Sequence, residues 1–421
     1  MSINKAEMWE KLESVLSSEA VCEMKKLYTL FTPKMIDWFA GLYDPEIGGF
    51  YFSNSARDYE TVEYRGKIYD LLPDAESTRQ ALGFFNSSGM VHGTGKQYFD
   101  VFPKDVSEKI VQFARDLQDP DGYFYHPQWG KEIGTSRRAR DFNWCRGILA
   151  DYGVSLKYPT ILDNPKPAEN TETLVPEHLS SLEAYKSYLD GLNLPENSYS
   201  GGNLLSCQGN QIKACGYLNF TIDYLNSLQH PETGLWHHTP NYYGVNGLMK
   251  ISGVYNAACL PIPNAVAAAN SAIEAIVSDA PVGAVVDLWN TWTAINRIVI
   301  SVRQYGGEQG IRDAEEIVTT LRKRAPEAIR RSYEKLGQFG KPDGGFSYRP
   351  DASCHKTAPT SQGMPVAIQG KQESDVNATV IGSTLMVASI FSALELNEYK
   401  IPIYDHEDLP RFLALLGKKG K

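Results

Sequence analysis

Cysteine is scarce in this chain. Six occur among 421 residues (Cys22, Cys145, Cys207, Cys215, Cys259 and Cys354), and no two form a Cys-x-x-Cys pair. Scattered thiols in a chain of this length argue against a disulfide framework and against a cysteine-rich metal site. A basic stripe is also missing. Lys and Arg total 41 against 50 Asp and Glu, for a net charge of −9, so nucleic acid is not expected as a partner. No apolar run reaches membrane-spanning length, and no membrane partner is expected. The first twenty residues, "MSINKAEMWEKLESVLSSEA", lack a basic start, an apolar stretch and a cleavage site. A cytoplasmic location is the expectation. There is no Gly-rich phosphate loop, no His-x-x-x-His pair and no nucleophile elbow, so neither cofactor nor metal is called from a motif. Nothing in the sequence sets an oligomeric state.

What the chain does have is a repeated turn. "DPEIGGFYFS" spans Asp44 to Ser53, "LQDPDGYFYH" Leu117 to His126, "LNSLQHPETGLWHH" Leu225 to His238 and "KPDGGFSYRP" Lys341 to Pro350. In each, Pro or Asp opens a bend, Gly supplies the backbone angles, and an aromatic or aliphatic pair folds back. Helical patterns lie between the turns. Val106, Ile110, Phe113 and Leu117 share one face of "DVSEKIVQFARDL". "RDAEEIVTTLRKRAPEAIRRSYEKL" is amphipathic, with Pro326 expected to break it. "PNAVAAANSAIEAIV", "VVDLWNTWTAINRIVISV" and "DVNATVIGSTLMVASIFSAL" are less polar and rich in small residues, as inner helices require. An almost all-helical protein follows, of roughly ten to fourteen helices, with strand character confined to residues after the Gly turns.

"YLNSLQHPETGLW", with Gln229, Gly234 and Trp236, resembles the repeat of the terpenoid cyclase and protein prenyltransferase superfamily. "FARDLQDPDGYF", with Gln118 and Gly122, is a looser copy. The resemblance implies an all-α fold of the α/α-toroid type, a ring of helical hairpins, over residues 1–421 as one domain. The Gly-aromatic turns are also similar to those of α/α-barrel sugar enzymes. Three chemistries are implied. In a cyclase, "DAEST" (Asp74 to Thr78) would stand for the acidic motif, with Glu76 as the acid; "DVNAT" (Asp375 to Thr379) keeps only its first acid. In a prenyltransferase, Asp351, Cys354 and His355 or His406 would have to hold zinc, at a spacing that departs from the family pattern. The third chemistry acts on carbohydrate.

Carbohydrate processing is the leading expectation, by β-elimination or by hydrolysis of an oligosaccharide or uronic-acid sugar. Sugars call for amides, carboxylates and Arg against hydroxyls, and for aromatic faces against rings. Asp287, Asn290 and Arg297 fall on one helical face, Asn246 and Lys250 lie one turn apart, and Asn143 and Trp144 sit beside Asp141. Arg57, Asn143, Trp144, Asn246, Lys250, Asp287, Asn290 and Arg297 are the candidate substrate contacts. For a lyase, His238 and Tyr242 are the candidate proton-transfer groups. For a hydrolase, Glu76 and Asp141 are the candidate carboxylates. A non-catalytic toroidal binding module is the remaining alternative. Plainer readings stand beside these: Asp74 and Asp375 as helix caps, His237 and His238 as turn residues, Trp129, Trp289 and Trp292 as packing, and "SRRAR" (Ser136 to Arg140) as a solvated helix start first and an anion contact second.

Overall fold

The computed structural model describes residues 4–166, 171–351 and 360–416, leaving the side chains at 360 and 361 aside. It is 59% helix and 5% strand, an all-α chain. In chain order come α1 (Lys5–Glu13), α2 (Ser18–Tyr28), α3 (Lys34–Ala40), α4 (Asn54–Asp58), α5 (Ala75–Ser88), α6 (Tyr98–Val101) and α7 (Lys104–Asp116). Then follow α8 (Thr135–Asp151), α9 (Leu182–Gly191), α10 (Leu194–Cys207), α11 (Gly209–Ala214), α12 (Leu218–Leu228) and α13 (Tyr242–Ala258). The last are α14 (Ala265–Val277), α15 (Val285–Tyr305), α16 (Gly307–Leu336), α17 (Val376–Val380), α18 (Met386–Ala393) and α19 (Leu409–Leu416). A π-type turn over Ile381–Leu385 joins α17 to α18.

Two sets of helices emerge from the packing. In the first, α5 meets α8, α8 meets α10, α10 meets α13, α13 meets α15, α15 meets α18, and α17 meets α5, so the order of contacts returns to its start. The second set flanks the first: α7 on α8, α12 on α13, α14 and α16 on α15, and α2 on α16. One apolar core runs through all of this, from Leu12 to Leu416. The segment Val376–Ala393 is long and apolar enough to cross a membrane, but 78% of it is buried within the protein.

The repeated turn is a clasp between successive helices. Gln118 Nε2 donates to Tyr158 O, and its Oε1 accepts from the backbone of Lys157 and Tyr158. Gln229 repeats the arrangement, donating to Gly234 O and Pro263 O and accepting from Asn264. The turn glycines sit tight against other backbone: Gly122 against Pro159 and Gly234 against the start of α14. A Cβ on Gly234, at φ +66°, would lie 2.4 Å from Ala268 N. Trp236 closes the turn by donating to Leu225 O. The other two turns are tied to α5 and α17: Thr78 accepts from Phe50 N at 2.9 Å, and Thr379 accepts from Phe346 N at 3.0 Å.

Val106, Ile110, Phe113 and Leu117 are buried together, as their spacing requires. Other expectations are corrected. Pro326 does not break α16, which runs through it. The buried neighbours Leu321, Ala325, Ala328 and Ile329 hold the helix together across the lost hydrogen bond. Short helices such as α4, α6 and α11 raise the helix number above the expected range. Strand is not confined to the Gly-aromatic turns. β1 (Tyr43–Asp44) and β2 (Gly49–Phe50) do flank one, but Thr61–Tyr64 and Lys67–Asp70 form a separate hairpin, β3 and β4. Arg65 and Gly66 both have positive φ there, the turn that suits a two-residue hairpin.

Candidate functional site

Six helices, α5, α8, α10, α13, α15 and α17, contribute the polar side chains of the candidate site. Asp74 caps α5, its Oδ1 accepting from the backbone of Glu76 and Ser77. Asp375 caps α17 in the same way, from Ala378 N. Capping was the plainer expectation for both, and it is what they do.

Asp74 has a second task. Arg137, 0% exposed, reaches Asp74 Oδ1 at 3.1 Å, Glu76 Oε2 at 3.0 Å and Asp141 Oδ2 at 3.0 Å. The rings of Trp129 and Trp144 lie over its guanidinium, centroids 4.3 and 5.7 Å away. Arg137 belongs to the short basic cluster expected to be solvated; its burial is explained by the three carboxylates that meet it. Burial pushes Asp141 up to about 7, against the opposing pull of Arg137. Burial likewise lifts Asp375 to about 8.

Beside this sealed cluster lies a more accessible one. Arg140 donates from Nη1 to Glu76 Oε1 at 3.3 Å and from Nη2 to Asn203 Oδ1 at 3.1 Å, while its Nε is 3.4 Å from Cys207 Sγ. Gln80 bridges Glu76 and Asn377. Lys250 Nζ stands 5.9 Å from the centroid of the Tyr199 ring. Among the described residues no hydrogen-bond acceptor or carboxylate meets Lys250. Burial, and then the positive charges of Arg140 and Arg297, draw its amine down to about 7. Arg297 donates to Met249 O at 2.7 Å, and burial also lowers its pKa. Gln80, Arg140, Tyr199, Asn203, Lys250 and Arg297 are all partly exposed among buried neighbours, so they border a space that solvent reaches.

Tyr199 also lines a cleft of about 1480 Å³ at the N-terminal end of α13, where Tyr242, Asn246, Asp287 and Tyr348 form part of the wall. Asn246 donates to Asp287 Oδ1 at 2.9 Å, and Asn290 donates to Asn246 Oδ1 at 3.0 Å. Asp287 also accepts from the backbone of Gly283 and Ala284. Asn246 and Lys250 are successive turns of one helix face, so Lys250 lies one turn in from the cleft.

The structure gathers Glu76, Trp144, Asn246, Lys250, Asp287, Asn290 and Arg297 around this region. It moves other candidates away. His238 is 54% exposed, lies 3.4 Å from Glu196 and does not line the cleft; it finishes a turn. Tyr242 is at the cleft but nearly buried. Its hydroxyl accepts from Lys335 Nζ at 2.7 Å, and burial raises it to about 12. Arg57 pairs with Asp58 and Gly41 O, outside the site. Asn143 donates to Cys207 O and so ties α8 to α10. Asp141 is 2% exposed and faces Arg137, not the open space. Tyr199, Asn203 and Cys207 were not singled out in the sequence, whereas Arg140 closes the basic cluster whose second reading was an anion contact. Cys354 and His355 lie outside the described residues. His406 Nε2 donates to His92 O, 2.7 Å away, remote from Asp351 in the chain. Among the described residues no group of three His, Cys, Asp or Glu is gathered closely enough to hold a metal ion.

Comparison with family models, curated proteins and solved structures finds no match for this chain. Function therefore has to be argued from the site.

Proposed function

We propose that the chain is an α/α toroid and that it processes a carbohydrate bearing a carboxylate, bound between α5, α8, α10, α13 and α15. The toroid is supported by the series of inner-helix contacts that returns to α5, with α7, α12, α14 and α16 outside it. The chemistry is supported above all by one observation. Among the described residues Lys250 meets no hydrogen-bond acceptor or carboxylate; it is partly exposed and grouped with Arg140 and Arg297.

In this reading Arg140 and Arg297 neutralise the substrate carboxylate. That makes the neighbouring C–H more acidic, and the amine of Lys250 takes its proton. Tyr199 stands against Lys250 and returns a proton to the leaving oxygen. Asn246, Asp287 and Asn290 receive sugar hydroxyls, and Trp144 offers a ring face. β-Elimination is favoured over hydrolysis by the position of the carboxylates. A hydrolase needs two across the glycosidic bond. Glu76 and Asp141 instead share one guanidinium, that of Arg137, and Asp141 is sealed behind it. A cyclase-like reading with Glu76 as acid is disfavoured by Arg140, Lys250 and Arg297, which a hydrocarbon ligand cannot solvate.

The test is incubation with a panel of uronic-acid oligosaccharides, following the ultraviolet absorbance of a new unsaturated uronate and reducing ends in parallel. A rise in both is expected, and K250M should lower kcat by about 10²–10⁴-fold. Reducing ends alone would return the hydrolase reading. Silence, with no binding by calorimetry, would remove the sugar reading and leave the binding-module alternative.

A further inference from the structure

We propose that Lys250 is a carbonyl-capturing amine, able to condense with a small aldehyde or ketone that carries an anionic group. This goes beyond proton transfer and does not require a sugar substrate. It rests on how the side chain is surrounded.

A lysine that carries a structural charge is met by a carboxylate or by carbonyl oxygens. Lys335 shows the ordinary case, donating to Tyr242 Oη and Ser278 O, both at 2.7 Å. Lys250 has neither kind of partner among the described residues. Charged or ionisable groups from four helices act on it: Glu76 from α5, Arg140 from α8, Cys207 from α10 and Arg297 from α15. The one carboxylate among them, Glu76, is held by Arg137 and Arg140. Two guanidiniums disfavour a third positive charge nearby, and burial disfavours it further. A lysine placed so keeps a lone pair near neutral pH, the condition for imine chemistry. The same two guanidiniums select the ligand, because a carboxylate or phosphate on it offsets their charge. The Tyr199 ring centroid lies 5.9 Å from the amine, and Lys250 keeps part of its surface exposed.

The reaction balances without an oxidant. The Lys250 Nζ lone pair forms a bond to the carbonyl carbon, and the carbonyl oxygen takes a proton to give a carbinolamine. The C–O bond then breaks, the oxygen leaves as water with a second proton, and a C=N bond remains. One amine and one carbonyl compound give one imine and one water.

The full chain would be incubated at pH 7 with glyoxylate, an anionic aldehyde, or with glycolaldehyde, a neutral one, and the imine trapped by borohydride. Peptide mapping of the wild-type protein reads the site directly. A single fast adduct at Lys250 is expected, at least about tenfold ahead of other lysines, faster with glyoxylate, and absent in K250R with an unchanged circular dichroism spectrum. Labelling spread evenly over surface lysines overturns the proposal, as does a fast adduct that survives in K250R. Equal rates with glycolaldehyde overturn the anionic ligand class. None of these outcomes depends on the uronate assay, so the two readings fail separately.

Discussion

Arg137 and Asp141 sit one turn apart on α8 and meet twice, Nε to Oδ2 at 3.0 Å and Nη2 to Oδ1 at 2.8 Å, both withdrawn from solvent. The same guanidinium also serves Asp74 and Glu76. Removing it would leave buried carboxylates without their cation, a loss of about 3–5 kcal/mol in comparable pairs. R137M is expected to cost at least that much by urea unfolding. R137K should fall between R137M and wild type, since one ammonium cannot span the fork that three carboxylates occupy. A cost below about 1 kcal/mol for R137M would show that the cluster relaxes to water and is not the joint between α5 and α8.

The pH dependence of stability should have two limbs of opposite slope. Burial holds native Asp141 at about 7 and Asp375 at about 8, above the ordinary 3.8. Between about pH 4 and 7 the native state keeps protons that the unfolded chain has released. These groups therefore stabilise fully below the unfolded value, and the contribution is lost as pH rises through the native one. The slope is up to about −1.4 kcal/mol per pH unit for each. Lys250 works the other way, at about 7 in the native state against 10.5 unfolded. Its contribution is present above 10.5 and is lost as pH falls through 7. Urea midpoints across this range should show D141N flattening the acid limb and K250M flattening the alkaline one. Unchanged slopes in both variants would refute the two assignments.

The sequence made the scaffold more legible than the site. Gln118 and Gln229 recur beside a Gly turn because both clasp the backbone ahead of another element, and a repeated mechanical task leaves a repeated spelling. Asn246 and Lys250 were legible as one helix face because four residues make one turn. Arg137 was not. Local sequence does not distinguish it from Arg138 beside it, and its partners Asp74 and Glu76 lie on a helix far back in the chain. His238 and Tyr242 drew notice through aromatic density, which marks a turn and says nothing of which way a ring faces. Tyr199 and Cys207 were missed, although α10 carried a signal. Gly202 packs so closely on α13 that an added Cβ would lie 3.2 Å from Lys250 Cβ. The close approach there brings Tyr199 to within 5.9 Å of the amine, ring centroid to Nζ.

The paired threonines give a test of the architecture that is independent of chemistry. Thr78 and Thr379 each follow a capping aspartate by four residues, in "DAEST" and "DVNAT", and each hydroxyl accepts the buried N–H of the aromatic after a Gly turn. The resemblance to an acidic motif thus has a structural content: cap, then clasp. Replacing either by valine keeps the shape and leaves a buried amide without an acceptor, at a cost of about 1–3 kcal/mol. T78V and T379V should each lose that amount by urea unfolding, while T78S and T379S, which keep the oxygen, should lose less than half of it. The sites belong to different helices and share no hydrogen-bond partner, so the double variant should be additive within about 0.5 kcal/mol. Valine variants as stable as wild type would mean that the turns are held by their apolar contacts alone.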